Sequence, residues 1–152
     1  MVERSLPRAR DYVLRLFKIR MRSEKEVRDK LKLKKYEADV IENTVLFLKK
    51  ACLLDDALFA KLWVASRLKK PLGLKRLGFE LKVKGVPQEA IDEALTNVQK
   101  DYDEGSVLQE LIQAKMKKMK DLAPDKRKAR LYAWLLRRGY SPDAVRDAMR
   151  IK

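Results

Sequence analysis

The sequence predicts an all-α protein of three tandem three-helix repeats, stacked into an elongated, curved helical-repeat body. Three features carry that expectation. Related segments recur at intervals of about fifty residues. Apolar residues stand four apart within them, as one helix face requires. No alternating strand pattern and no Asn-Gly or Asp-Gly hairpin signal occurs anywhere in the chain.

The recurrence is plainest in the second half of each repeat. Val27–Ile41, Leu77–Ile91 and Leu131–Val145 align, with Leu31, Leu81 and Leu135 separated by 50 and 54 residues. Val27/Leu31, Leu77/Leu81 and Leu131/Leu135 share one helix face in each copy. Gly85 and Gly139 then stand where a helix ends in the left-handed region, which glycine enters without steric cost. Lys35 takes that place in the first copy, which predicts a more strained or differently shaped turn. Tyr36, Val86 and Tyr140 follow as apolar anchors, and Pro87 and Pro142 suit the opening positions of the next helix. Ile41, Ile91 and Val145 begin its buried stripe.

A further helix precedes each pair. Tyr12, Val13, Leu16, Phe17 and Arg20 have the spacing of Phe59, Ala60, Trp63, Val64 and Arg67, and of Val107, Leu108, Leu111, Ile112 and Lys115. Ser23 to Glu26 reads as a capping box opening the second helix of the first copy. Pro71-Leu72-Gly73 and Leu122-Ala123-Pro124 break the chain at the matching points. The repeats therefore divide as 1–54, 55–104 and 105–152. Tetratricopeptide and ankyrin periods, near 33 or 34 residues, are too short. Units with one buried face stack on their neighbours.

Hydrophobic residues make up 46% of the 152 positions, enough for a folded core. Cys52 is the only cysteine, which excludes an intramolecular disulfide and a multi-cysteine metal site. In the apolar run Ala51–Leu54 it reads as a small buried hydrophobe. No charge-free run exceeds six residues, whereas a membrane span needs about twenty apolar ones. The opening Met1–Pro7 lacks the apolar centre of a signal peptide. A soluble, cytoplasmic, monomeric protein is expected, with no membrane partner.

Catalysis is hard to build from these residues. Histidine is absent, and with it the commonest general base and metal ligand. The five glycines are scattered and form no phosphate loop. Asp55-Asp56 reads as a helix cap plus a first-turn carboxylate, and Asp101–Glu104 as a solvated linker. Neither an active site, a cofactor nor a metal site is expected. The protein works by binding.

The charge says what it binds. Lys and Arg number 37 against 22 Asp and Glu, a net +15, which favours a polyanionic partner. The surplus sits in the end repeats: +7 over residues 1–54, zero over 55–104 and +8 over 105–152. Within the middle repeat, Lys61 to Lys84 holds eight basic residues against Glu80 alone. Basic groups gather on the second helices and the turns before them, as Arg20, Arg22, Lys25 and Arg28; Lys69, Lys70, Lys75 and Arg76; Lys126, Arg127, Lys128 and Arg130. The third helices open instead on acids such as Asp39, Glu89 and Asp143. A helix-turn-helix reader places the start of its recognition helix against base edges, and carboxylates there are repelled by phosphates. Salt-sensitive backbone contact with single-stranded or duplex DNA remains the fitting mode. Trp63, Phe79, Tyr132 and Trp134 are expected in the core rather than on a stacking surface, and Met116 and Met119 in a narrow buried seam.

Asp55-Asp56, Phe59-Ala60, Arg67, Gly73, Leu77, Leu81 and Lys84-Gly85-Val86 resemble the second repeat of the RecX recombination regulators. The resemblance runs from about Ala9 to Met149, and Lys35 departs from the glycine of the repeat turn. It implies tandem three-helix repeats and a protein that binds the RecA–DNA filament in its groove. RecX-like proteins mostly suppress RecA's ATP hydrolysis, strand exchange and co-protease activity, within recombination, DNA repair and the SOS response. The candidate contact surface for filament and DNA is Arg20, Arg22, Lys25, Arg67, Lys69, Lys70, Lys75, Arg76, Lys84, Lys126, Arg127 and Lys128. The competing expectation is a free-standing, sequence-nonspecific nucleic-acid binder.

Overall fold

The computed structural model describes residues 2–150, and these form nine α-helices and no strand. The first copy comprises α1 (Val2–Ile19), α2 (Glu24–Leu33) and α3 (Ala38–Lys50). The second comprises α4 (Asp56–Arg67), α5 (Leu74–Val83) and α6 (Gln88–Gln99). The third comprises α7 (Glu104–Lys117), α8 (Pro124–Arg137) and α9 (Pro142–Met149). By backbone proximity the chain forms two compact units. One holds the residues through Leu62 together with Leu81–Ile91; the other holds Trp63–Glu80 and the residues from Asp92 onward.

The first unit's core joins Ala9 and Val13 of α1 to Val27 and Leu31 of α2 and to Val40, Ile41, Val45 and Leu48 of α3. The second unit's core contains Leu108 of α7, Leu131 and Leu135 of α8, then Tyr140 and Val145. Met116 and Met119 pack against its edge, half-buried. Burying each such aliphatic side chain stabilises the fold by roughly 1.5–3 kcal/mol.

All three second helices end in the same motif. The N–H of Tyr36, Val86 and Tyr140 reaches back to the carbonyl of Leu31, Leu81 and Leu135, at 3.2, 3.1 and 3.3 Å. The preceding residue bonds to Lys32, Lys82 and Leu136. This is the Schellman pattern, and its pivot is left-handed: φ is 60° at Lys35, 74° at Gly85 and 90° at Gly139. Lys35 thus adopts the glycine conformation rather than reshaping the turn, at a cost of roughly 1–2 kcal/mol. Its side chain is exposed. The two glycines have none of that freedom. A Cβ on Gly85 would lie 2.6 Å from Lys25 Cβ, and one on Gly139 would collide with Arg76 Cβ.

Those collisions mark how consecutive copies are joined. In the first unit the turn after α5 sits on the start of α2: buried Ser23 donates from Oγ to the Lys84 carbonyl at 2.6 Å. In the second unit the turn after α8 sits on the start of α5, where the Gly73 N–H donates to the Arg138 carbonyl at 2.9 Å. Arg138 Nη1 donates to the Pro71 carbonyl at the same distance. Acidic residues complete both junctions. Asp55 caps its own helix through Leu58 N–H at 3.0 Å, while Asp56 accepts from Glu24 N–H at 2.9 Å, capping α2. Asp103 caps its own helix through Ser106 N–H at 3.1 Å, while Glu104 accepts from Leu74 N–H at 3.0 Å, capping α5. Each pair closes two helix starts, satisfying donors that a helix leaves open.

Three sequence expectations need correction. Asp103 and Glu104 are not solvated linker residues but the second of these capping pairs. Cys52 is exposed, not buried. It has φ 56° and ends α3 in another Schellman turn, with Leu53 N–H on the Leu48 carbonyl at 2.9 Å, so Leu48 and Leu54 take the buried places. Phe79 is 67% exposed, because Leu77 and Leu81 fix the inner face of α5 and a residue two from each lies opposite.

Candidate nucleic-acid interface

The twelve predicted basic residues separate into two kinds. Several belong to structural ion-pair clusters built on single carboxylates. In the first unit Glu26, the last residue of the capping box begun by Ser23, accepts from Arg20 Nη2 at 2.7 Å, from Lys84 Nζ at 2.9 Å and from the Ser23 N–H at 3.1 Å. Burial pushes its pKa up, but the hydrogen bonds from Arg20, Lys84 and the Ser23 backbone outweigh this and bring it down to about 2. In the second unit Glu80 accepts from Arg67 Nη2 at 2.8 Å, from Arg67 Nε and the Trp63 indole N–H at 3.0 Å, and from Arg76 Nε at 3.2 Å. Burial again opposes ionisation, and the Arg67, Trp63 and Arg76 hydrogen bonds win, holding the carboxyl below its usual range. Arg67 and Lys84 are therefore joints of the scaffold.

Others are also engaged. Arg76 additionally donates to the Arg137 carbonyl at 3.3 Å, Arg127 donates to the Lys120 and Leu122 carbonyls, and Lys25 pairs with Asp29 at 2.6 Å. Arg22 is half-buried, with Nε unpartnered. Lys69, Lys70, Lys75, Lys126 and Lys128 are exposed and, among the described residues, in no ion pair. All five lie in the second unit. Their ammonium groups can meet phosphates without breaking an internal pair.

The position that holds Glu80 in the second copy holds Trp134 in the third, when Leu81 is set on Leu135. There the indole replaces the carboxylate as the partner of cations. Lys115 Nζ lies 4.9 Å and Arg138 Cζ 4.5 Å from its ring centroid, within cation–π range. Trp134 and Tyr132 are half-buried against the core of the third copy rather than within it as the sequence led us to expect, and Trp63 is half-buried at Glu80. Lys115, Lys118 and Arg137 are not among the contacts that the sequence singled out, although Lys115, Lys117, Lys118 and Lys120 crowd that helix and the turn after it. Among the described residues no group of three or more His, Cys, Asp or Glu is placed to hold a metal. No helix there is long and apolar enough to cross a membrane.

These features define a helical-repeat protein in which the second helices of the first two copies are capped and packed by residues of the copy that follows. Family models of the first, second and third three-helix domains of RecX match residues 9–48, 55–95 and 102–149. The chain belongs to the RecX family. It is 37% identical over 146 residues to "Regulatory protein RecX" of Chlorobium phaeobacteroides, covering 93% of this chain and 91% of the relative. To the protein of that name from Clostridium beijerinckii it is 32% identical over 145 residues, covering 94% and 67%. The crystal structure of RecX from Lactobacillus salivarius superposes with a TM-score of 0.81 at 20% identity, over 95% of this chain and 94% of that one. A second crystal structure, of regulatory protein RecX, gives 0.84 over 99% and 74%, also at 20% identity. The structural likeness concerns the fold.

Proposed function

We propose that this protein regulates RecA by binding the RecA–DNA filament and suppressing its ATPase, strand exchange and co-protease activity. Membership of a family of regulatory proteins carries the reading. The exposed lysines of the second unit support it, since they suit phosphate contact without base reading. The protein acts as a cytoplasmic monomer, by occupancy rather than catalysis, with the three copies 1–54, 55–104 and 105–152 as its working modules.

The test measures the DNA-dependent ATPase of the cognate RecA with substoichiometric amounts of this protein, alongside its binding to naked single strands. Inhibition well below the concentration that saturates the DNA is expected. If ATPase falls only once the DNA is coated, the protein is instead a free-standing nucleic-acid binder, the reading that the +15 charge alone favours. Reversing Lys69, Lys70 and Lys75 to Glu should weaken filament binding at least tenfold and flatten its salt dependence, with helicity unchanged. Undiminished inhibition removes that patch from the interface.

A further inference from the structure

Between α7 and α8 lies an open groove of about 640 Å³. Trp134, Met119 and Leu122 give it an apolar side, and Lys118, Arg130 and Arg137 give it a cationic one. A recess of about 310 Å³ shares Lys115, Lys118 and Trp134 with it. We propose that this groove is a nucleotide site. The base lies against Trp134 and its apolar neighbours, and the phosphate is held by Lys118, Arg130 and Arg137.

The comparison between copies carries the argument. In the first two copies a carboxylate gathers the cations: Glu26 takes Arg20 and Lys84, and Glu80 takes Arg67 and Arg76. Lys115 and Arg130 are the third copy's counterparts of Arg67 and Arg76, and Trp134 stands where Glu80 would neutralise them. Among the described residues none of Lys115, Lys118, Arg130 and Arg137 is in an ion pair, although Asp121 also lines the groove. These cations are therefore open to an anionic ligand. An aromatic platform beside a row of cations is the usual arrangement for holding one nucleotide of a single strand, and the volume falls within the range of small-ligand sites. An acidic peptide would satisfy the cations but make no use of the apolar side that Trp134, Met119 and Leu122 present. The site deepens the filament-binding reading by adding base contact to phosphate contact.

With Trp63→Phe in place, Trp134 is the sole tryptophan and its emission reports on the groove. The variant is titrated, in the absence of RecA, with an eight-residue oligothymidylate, the same strand without bases, ATP and a polyglutamate peptide. Quenching by oligothymidylate is expected, with binding weakened about tenfold by either Lys118→Glu or Arg130→Glu, both at exposed positions, and by Trp134→Ala, whose binding is followed instead by the anisotropy of an end-labelled strand. Equal quenching by ATP also supports the site and makes it one for free nucleotides. Equal affinity for the strand without bases, stronger binding of polyglutamate, or no quenching in a protein of native helicity each overturns it. If quenching fails while RecA inhibition persists, the groove falls and the filament reading stands. The reverse result removes the filament reading alone.

Discussion

The second and third copies share a backbone plan and differ at one decisive helix position. Glu80 draws Arg67, Arg76 and Trp63 into a closed ion-pair cluster, whereas Trp134 leaves Lys115, Arg130 and their neighbours around an open groove. The same basic residues are thus structural in one repeat and available in the next. Counting positive charge does not locate a binding surface. What matters is whether the fold supplies the counter-ion, and here Glu80 in the second copy and Trp134 at the matching place in the third decide it.

The contrast depends on the junctions that hold both copies in one frame, so the largest effect should come from breaking one. Gly139→Ala combines a left-handed φ with the collision at Arg76 and is expected to cost about 3 kcal/mol, read as a lower urea midpoint. Glu80→Ala should cost about 2 kcal/mol by leaving half-buried Arg67 without its carboxylate, while Trp134→Phe in the third copy costs under about 1 kcal/mol. An equal loss from both would mean that Trp134 is as structural as Glu80. The carboxylate clusters also set an acid limit. Glu24, Glu26 and Glu80 have folded pKa values below the ordinary 4.5, with Glu26 at about 2. Their contribution is complete above that ordinary value and is lost as pH falls through the folded values. Burial lifts Asp56 above 3.8 and works in the opposite sense. Helicity followed from pH 5 to pH 2 should therefore fall, and Glu26→Gln should reduce the drop. The smallest effect is a gain: Lys35→Gly relieves a left-handed lysine at an exposed turn and should raise stability by about 0.5–1 kcal/mol.

Much of this fold was legible because its determinants are local. The Ser23–Glu26 capping box, the Leu31, Leu81 and Leu135 stripe and the repeat turns all show as short spacings, and Lys35 showed as the exception it is. The junctions did not show, because Asp56 and Glu104 cap helix starts 32 and 30 residues away in sequence, and no nearby spacing records that. Cys52 misled because an apolar run hides a left-handed turn. Phe79 was readable in principle from the period that places Leu77 and Leu81 inward. At the interface, clusters of Lys and Arg were visible, but the partners of Arg67 and Lys84 lie 13 and 58 residues off. Only the folded chain separates paired arginines from solvent-facing lysines.

The paired acids have a consequence for how the protein is made. As the chain leaves the ribosome, α2 is complete by Leu33, yet its cap from Asp56 and its cover from the Lys84–Gly85 turn are still untranslated. Likewise α5 must wait for Glu104 and Arg138. Both α2 and α5 are thus finished by residues synthesised after them, so these two copies mature from the amino end one copy in arrears, and a nascent chain halted near residue 54 should be far more sensitive to protease around Glu24 than the released protein.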